Sequence, residues 1–399
     1  MLSFARLSFV GGTMRRGIGW VLYTFLAGAA PAALPASAET TSPSAAEIAA
    51  SEQQFAADVA KAGNIDAGEI LATLKKAHYQ QSVIDTISRP AESKPWKEYR
   101  PIFVNDRRVD DGVAFYKANR ALLERIAGEY RVPAEVIVAI IGVESNYGHT
   151  PMRYKVLDAL TTLAFYYPPR QDFFRDELKR LFLLRSPAFP YALEDLNGSY
   201  AGAMGWGQFM PSSIANFARD GDGDGKIDLW NSLPDICASI ANYFAAHGWQ
   251  KDGPVAQPAH VDAQARAIEP NGLTPVYSLQ QLGEWGYTID AKPAGPCRTV
   301  ASEGRLRAAG AQEPECTCEY MRNPSTAGAQ DAERSRLCKG SLDPMTPATL
   351  IKLDGADGPE FWMTFQNFYV ISRYNRSPLY SLAVHQVSRA IAAEVAASQ

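Results

Sequence analysis

Glu144 closes an apolar run, PAEVIVAIIGVESNYG from Pro133 to Gly148, in which Val136, Ile137, Ala139, Ile140, Ile141 and Val143 have the composition of a buried helix. Pro133 suits the first helical turn, where its missing N–H costs no hydrogen bond. A carboxyl group one turn beyond Ile140 and Ile141, just before the turn residues Asn146 to Gly148, is held at the rim of an apolar pocket by rigid backbone. Partial desolvation there disfavours the charged form and raises the pKa from about 4.3 toward neutrality. That is the property a general acid needs. The plainer alternative is a solvated glutamate near a helix C-terminus, and the rest of the chain has to decide between them.

Two further segments carry groups that line clefts. SYAGAMGWGQFMPSS, Ser199 to Ser213, places Gly202, Gly205 and Gly207 beside Gln208 and Met210 and starts a helix at Pro211. Its glycine content is too high for the segment to be held by its own propensity, so it is held by packing, either as a cleft wall or as a plain tight turn. YVISRYNRSPLY, Tyr369 to Tyr380, is aromatic and polar at once, which fits a sugar-binding wall or a buried aromatic joint. Trp96 and Tyr99 fall in a stretch, Ala91 to Pro101, that reads as a loop, where aromatics serve as packing lids or sugar platforms.

DGDGDGKIDLWN, Asp220 to Asn231, has the spacing of a calcium loop. Asp220, Asp222 and Asp224 stand at positions one, three and five, Gly225 turns at six, Lys226 offers its carbonyl at seven, and Asp228 stands at nine. Asn231 occupies position twelve, where a bidentate Glu is usual. A neutral amide cannot supply two carboxylate oxygens, so either the site is weak or Asp235 completes it. A structural Ca2+ site is expected, with no organic cofactor. A sensor is disfavoured because sensor domains usually pair such loops.

Around these groups the periodicity predicts a mainly α protein. Helices are expected over Gln54 to Ala77 in two pieces, Val83 to Ile87, Asp111 to Tyr130 against the Glu144 helix, Leu157 to Phe165, Gln171 to Arg185 and Pro234 to His247. These make a helical catalytic domain over 54–250, with the calcium loop and Asp235 (220–235) embedded in it. A small mixed α/β module follows over 251–349, with short strands at Val276 to Leu279 and Tyr287 to Ile289. Residues 350–399 hold a strand at Leu350 to Lys352 and helices at Trp362 to Val370 and Ser381 to Glu394, and fold back onto the catalytic groove.

The 399 residues, 46% of them hydrophobic, suffice for a sizeable core. A net charge of -4 without a basic block argues against a nucleic-acid partner. Residues 1–38 read as a signal peptide, with Arg6, Arg15 and Arg16 before an apolar Gly17 to Ala30 core and Ala36-Ser37-Ala38 at the cleavage position. Residues 39–53, rich in Ala, Ser, Thr and Pro, read as a flexible tether. No cysteine precedes Cys237, so a lipid anchor through a mature N-terminal cysteine is not expected, nor is a membrane span. Cys297, Cys316, Cys318 and Cys338 lie in an insertion, about 293–347, without periodicity, and two disulfide bonds among them are expected, with zinc the alternative. Cys237, inside a helical run, reads as a buried free thiol.

IIGVESNYG, SYAGAMGWGQFMPSS, the acidic loop ending in DLWN, SIANYFAAHGW and NFYVISRYNRSPLY occur in one order that resembles the lytic murein transglycosylase B family, SLT domain 2. The resemblance spans Leu74 to Ala392. It implies a lysozyme-like helical core crossed by a groove, and cleavage of the β-1,4 bond between N-acetylmuramic acid and N-acetylglucosamine with a 1,6-anhydromuramoyl product. Glu144 then resembles the sole acid/base, and Ser199, Gln208, Met210, Tyr243, Tyr374, Asn375 and Tyr380 the groove residues, with Tyr99 in a looser match. The implied partners are peptidoglycan glycan strands, with cell-wall synthesis or division proteins open, and the implied location is the periplasm, as a soluble enzyme. The sequence departs from the family in the missing lipobox cysteine, the Cys-rich insertion and the Ser232-Leu233-Pro234 spacer before Asp235, where the family's loop is one residue shorter. Two rivals stay open: a hydrolytic muramidase with Glu194 or Asp195 as second carboxylate, and a murein-binding protein without turnover.

Overall fold

The computed structural model describes residues 43–89, 94–268, 272–289 and 342–398. The signal-peptide reading and the Cys-rich insertion therefore lie outside the described residues, apart from the insertion's last few positions.

The helix Ala134–Ser145 is the centre of the molecule. Every residue from Val136 to Ser145 is buried, so a sequence apolar all round is matched by neighbours all round. It packs against Asp106–Ala118, Arg120–Tyr130, Leu233–Ala246 and, most extensively, the long C-terminal helix Pro378–Ala397. Val156–Tyr166 and Gln171–Leu183 pair closely, and Ala45–Gly63 lies over both. Of residues 350–399, the two helices Gln366–Tyr374 and Pro378–Ala397 pack on each other, and the second lies against the Ala134–Ser145 helix.

Several expected boundaries need correction. The segment 39–53 is not a tether throughout: a helix begins at Ala45, where Ser44 and Glu47 form a reciprocal capping box and the alanines favour helix. Trp96 and Tyr99 lie on a helix, Trp96–Phe103, not in a loop. The single helix expected from Asp111 to Tyr130 begins earlier, at Asp106, and is broken at Asn119, whose φ of -118° is not helical.

The mixed module is a five-stranded antiparallel sheet in the order Tyr277–Ser278, Pro347–Gly355, Gly358–Thr364, Ala256–Val261, Tyr287–Ile289. Trp362 to Thr364, read from sequence as the start of a helix, are strand, paired to Pro258, Gln257 and Ala256. The module thus reaches beyond 349 to Thr364. One face of the sheet covers a small second core of Leu282, Tyr287, Ala348, Leu350, Met363 and Phe365.

The expectation of disulfide bonds is also corrected. Among the described residues no disulfide is formed, and Cys237 is a buried free thiol. The four cysteines expected to pair lie outside those residues. Among the described residues, no helix is long and apolar enough to cross a membrane.

Candidate active site

Glu144 occupies the last turn of the Ala134–Ser145 helix and is only 2% exposed. Its Oε1 accepts a hydrogen bond of 2.6 Å from the Tyr380 hydroxyl, delivered by the first turn of the Pro378–Ala397 helix. Burial pushes the Glu144 carboxyl up to about 8, and the Tyr380 hydrogen bond opposes that rise in part by favouring the charged form. At neutral pH the group is therefore mostly a protonated acid. Burial and the neighbouring Glu144 keep Tyr380 far above its ordinary pKa, so its hydroxyl stays a donor.

The backbone after Glu144 turns sharply. Asn146, Tyr147 and Gly148 have φ of 50°, 56° and 81°, three left-handed residues in succession. Tyrosine rarely adopts this region, and such strain persists only where surrounding contacts enforce it. They do: the Tyr147 hydroxyl donates to the Arg108 carbonyl at 2.7 Å, its ring stacks on Phe115, and the Arg108 guanidinium donates to the Gly142 carbonyl. Ser145 Oγ accepts from the Gly148 N–H at 3.1 Å and donates to the Ile141 carbonyl at 3.0 Å. The positioning roles of Arg108 and Tyr147 were not read from the sequence. The N-Y-G after a helix was the signal for the turn, but the partner at Arg108 is long-range.

The glycine-rich segment is tied to the C-terminal helices. Tyr374, at the end of Gln366–Tyr374, donates its hydroxyl to the Gly207 carbonyl at 2.5 Å. Its ring meets Tyr243 edge-on at 4.7 Å and lies near Phe209 and Phe244. Tyr243 donates to the Arg373 carbonyl at 2.6 Å, tying the Leu233–Ala246 helix to the same joint. Of the two sequence readings of Tyr369 to Tyr380, the buried aromatic joint is therefore present, and its Tyr374 lies near enough to Glu144 for that carboxyl to help raise the tyrosine's pKa. Gln208 adopts φ 49° and donates from Nε2 to the Gly205 carbonyl, while Met210 is buried at the start of the Pro211–Phe217 helix. Ser199 Oγ accepts from the Ala201 and Ala203 N–H groups and fixes the start of the segment. Asn375 is buried and accepts from the Ser377 N–H. Tyr99, buried with Trp96 and Phe103, lies near enough to Tyr380 to influence its proton affinity.

Of the expected calcium ligands, Asp220, Asp222 and Asp235 bring carboxylate oxygens within 4.8 Å of one another. Asp235 is buried and accepts from Gly221 N–H at 2.8 Å and Asp228 N–H at 2.7 Å, so it closes the loop from the following helix. Asp224 and Asp228 accept backbone N–H groups of Lys226, Trp230 and Asn231. Asn231, at the twelfth position, donates to Asp228 and is not in the cluster.

The rival second carboxylates are Glu194 and Asp195. Glu194 pairs with Lys76 at 2.6 Å and Asp195 is exposed.

The family described as the transglycosylase SLT domain matches residues 47–323 and 298–389. The membrane-bound lytic murein transglycosylase B of Escherichia coli is 35% identical over 331 residues, 81% of this chain and 77% of the relative. The soluble lytic transglycosylase SltB1 of Pseudomonas aeruginosa superposes with a TM-score of 0.69 at 36% identity, over 86% of this chain and 98% of that one. The Escherichia coli lytic transglycosylase Slt35, solved in complex with calcium, gives a TM-score of 0.67 at 33% identity, over 87% of this chain and 94% of that one. The fold, the order of the motifs and these likenesses agree, and the chain belongs to the transglycosylase SLT-domain family of lytic murein transglycosylases.

Proposed function

We propose that Glu144 alone serves as acid and then base in glycan cleavage by this enzyme. The protein is a lytic transglycosylase of peptidoglycan: it breaks the β-1,4 bond between N-acetylmuramic acid and N-acetylglucosamine and leaves a 1,6-anhydromuramoyl end. The observation that carries the assignment is the buried Glu144 carboxyl, held neutral near pH 7 with one oxygen fixed by Tyr380.

With Oε1 accepting from Tyr380, the acid proton resides on Oε2. That proton passes to the glycosidic oxygen as its bond to C1 of the muramoyl unit breaks. The carboxylate then takes the proton of the muramoyl O6 hydroxyl while O6 bonds to C1, and the acid is restored. No water is consumed, because the nucleophile belongs to the substrate. The pair of carboxylates that most glycosidases use to activate water or form a covalent intermediate is thus not required. Tyr380 lowers the cost of the charged intermediate state, in which Glu144 has lost its proton inside an apolar site. We assign the groove wall to Tyr99, Ser199, Gln208, Met210, Tyr243, Tyr374, Asn375 and Tyr380.

Asp220, Asp222 and Asp235 would hold a structural Ca2+, with Asp224, the Lys226 carbonyl and Asp228 completing the shell. The all-oxygen, triply acidic cluster suits a hard cation. The calcium complex of the Escherichia coli relative supports this reading. The signal-like residues 1–38 support a periplasmic location.

The test is Glu144→Gln, which keeps shape and removes the proton. Mass spectrometry of digested peptidoglycan should show anhydromuropeptide formation falling by roughly 10²–10⁴-fold. Turnover at the wild-type rate would overturn the assignment, and reducing muramoyl ends from the wild type would point to hydrolysis instead.

A further inference from the structure

Glu360 lies on the Gly358–Thr364 strand of the β module, outside the helical core, yet its carboxylate reaches that core. Its Oε2 accepts from the indole N–H of Trp96 at 3.1 Å and from that of Trp362 at 3.3 Å. Trp362 is a strand neighbour, whereas Trp96 belongs to the Trp96–Phe103 helix. The contact crosses between the module and the helical core. The side chain has room because Gly355, paired with Gly358 at the hairpin turn, has no Cβ: one built there would meet the Glu360 side chain at 2.4–2.8 Å.

Trp96 is 1% exposed, and a buried indole N–H left without an acceptor is costly. The ring therefore stays where Glu360 holds it. Tyr99 sits one turn along the same helix, with its ring near parallel to Trp96 at 6.3 Å and packed on Phe103 at 5.1 Å. Tyr99 in turn lies beside Tyr380, the residue bonded to Glu144. A second tie, Arg100 Nε to Gln386 Oε1 at 2.7 Å, fixes this helix on the Pro378–Ala397 helix that carries Tyr380.

We propose that Glu360 is a positioning residue for the glycan site: it clasps Trp96 to the β module, and Trp96 sets the placement of Tyr99 in the groove wall. The β module is then part of the substrate-binding apparatus, acting through one carboxylate. The proposal rests on the assignment of Tyr99 and Glu144 to the site.

The clasp needs an acceptor and not a charge. Glu360→Gln keeps an oxygen for both indoles, whereas Glu360→Leu keeps bulk and removes it. With a soluble glycan oligomer as substrate, Glu360→Leu should raise KM about five- to tenfold while kcat stays within about twofold and the alkaline limb of the pH profile stays in place. Glu360→Gln should restore KM to within about twofold. A purely structural role would lower the folded fraction, and with it the apparent kcat, while leaving KM unchanged. If Glu360→Leu does not fold, Trp96→Phe keeps an aromatic ring, smaller than the indole, and removes the N–H, and should raise KM in the same direction. Unchanged KM in the folded variant used, or a Gln variant as impaired as Leu, would overturn the proposal. Glu144→Gln separates the two readings: if it is inactive while Glu360→Leu binds normally, only the clasp falls, and if it turns over normally the site assignment falls first.

Discussion

At the scale of single residues, the proposed chemistry turns on one carboxyl group and the hydroxyl that touches it. Burial raises Glu144 to about 8 against the pull of Tyr380, so the acid form is present below that pH and is lost as pH rises through it. The rate of bond cleavage should fall correspondingly on the alkaline side. Tyr380→Phe removes the hydrogen bond that favours the carboxylate, and the Glu144 pKa should rise further. A hydrogen bond to a charged group contributes roughly 1.5–3 kcal/mol, or on the order of one to two pKa units, so the alkaline limb should move upward by about that much. The maximal rate should drop about tenfold, because the carboxylate needed after the first proton transfer loses its donor. A pH profile of kcat for the two proteins checks this, and an alkaline limb that stays in place or moves down would refute the role. Glu144 was legible in the sequence because an apolar run and a turn are local signals. Its partner was legible only through the resemblance, since 236 positions separate the two residues and no periodicity links them.

At the scale of elements, two glycines show how packing overrules propensity. Gly142 lies inside the Glu144 helix, where alanine is intrinsically better by about 1 kcal/mol. Yet a Cβ at Gly142 would meet the Tyr147 hydroxyl at 2.5 Å and its ring at 2.7 Å. Tyr147 cannot withdraw without losing its bond to the Arg108 carbonyl and the strained turn after Glu144. Overpacking of this kind costs about 1–3 kcal/mol, so Gly142→Ala should lower Tm by several degrees and reduce activity. Gly128, exposed on the Arg120–Tyr130 helix, has nothing within 4 Å of an added Cβ, and Gly128→Ala should raise Tm slightly. Calorimetry of the pair gives opposite signs if contact decides, and the same sign if propensity does. The same competition explains which elements were read correctly. Val156–Tyr166 and Leu233–Ala246 have uninterrupted apolar spacing and fell close to their expected positions. Trp362 to Thr364 joined a strand because Pro258, Gln257 and Ala256 were available to pair with it, information absent from its own segment.

At the scale of the molecule, the acidic loop is a junction as well as a cluster of carboxylates. The Gly221 carbonyl accepts from Arg125 of the Arg120–Tyr130 helix, the Ile227 N–H donates to the Ala188 carbonyl, and the Leu229 carbonyl accepts from the Trp206 N–H of the glycine-rich segment. One loop therefore joins a helix, a connection and the glycine-rich segment. Without a cation, Asp220, Asp222 and Asp235 repel one another across 4.8 Å or less, and that repulsion opposes the junction. A cation that binds only the folded protein stabilises it by about 2.7 kcal/mol at a hundred times its dissociation constant. Removing Ca2+ with a chelator should therefore lower Tm by a few degrees, and adding it back should restore the difference. Asp235→Asn keeps one oxygen for the loop N–H groups and removes the charge that closes the cluster, so its Tm should respond weakly or not at all to Ca2+. Calorimetry of both proteins, with and without the ion, separates a cation site from a loop held by hydrogen bonds alone. A wild-type Tm indifferent to Ca2+ would leave the Asp235 hydrogen bonds to Gly221 and Asp228 as the reason for its burial.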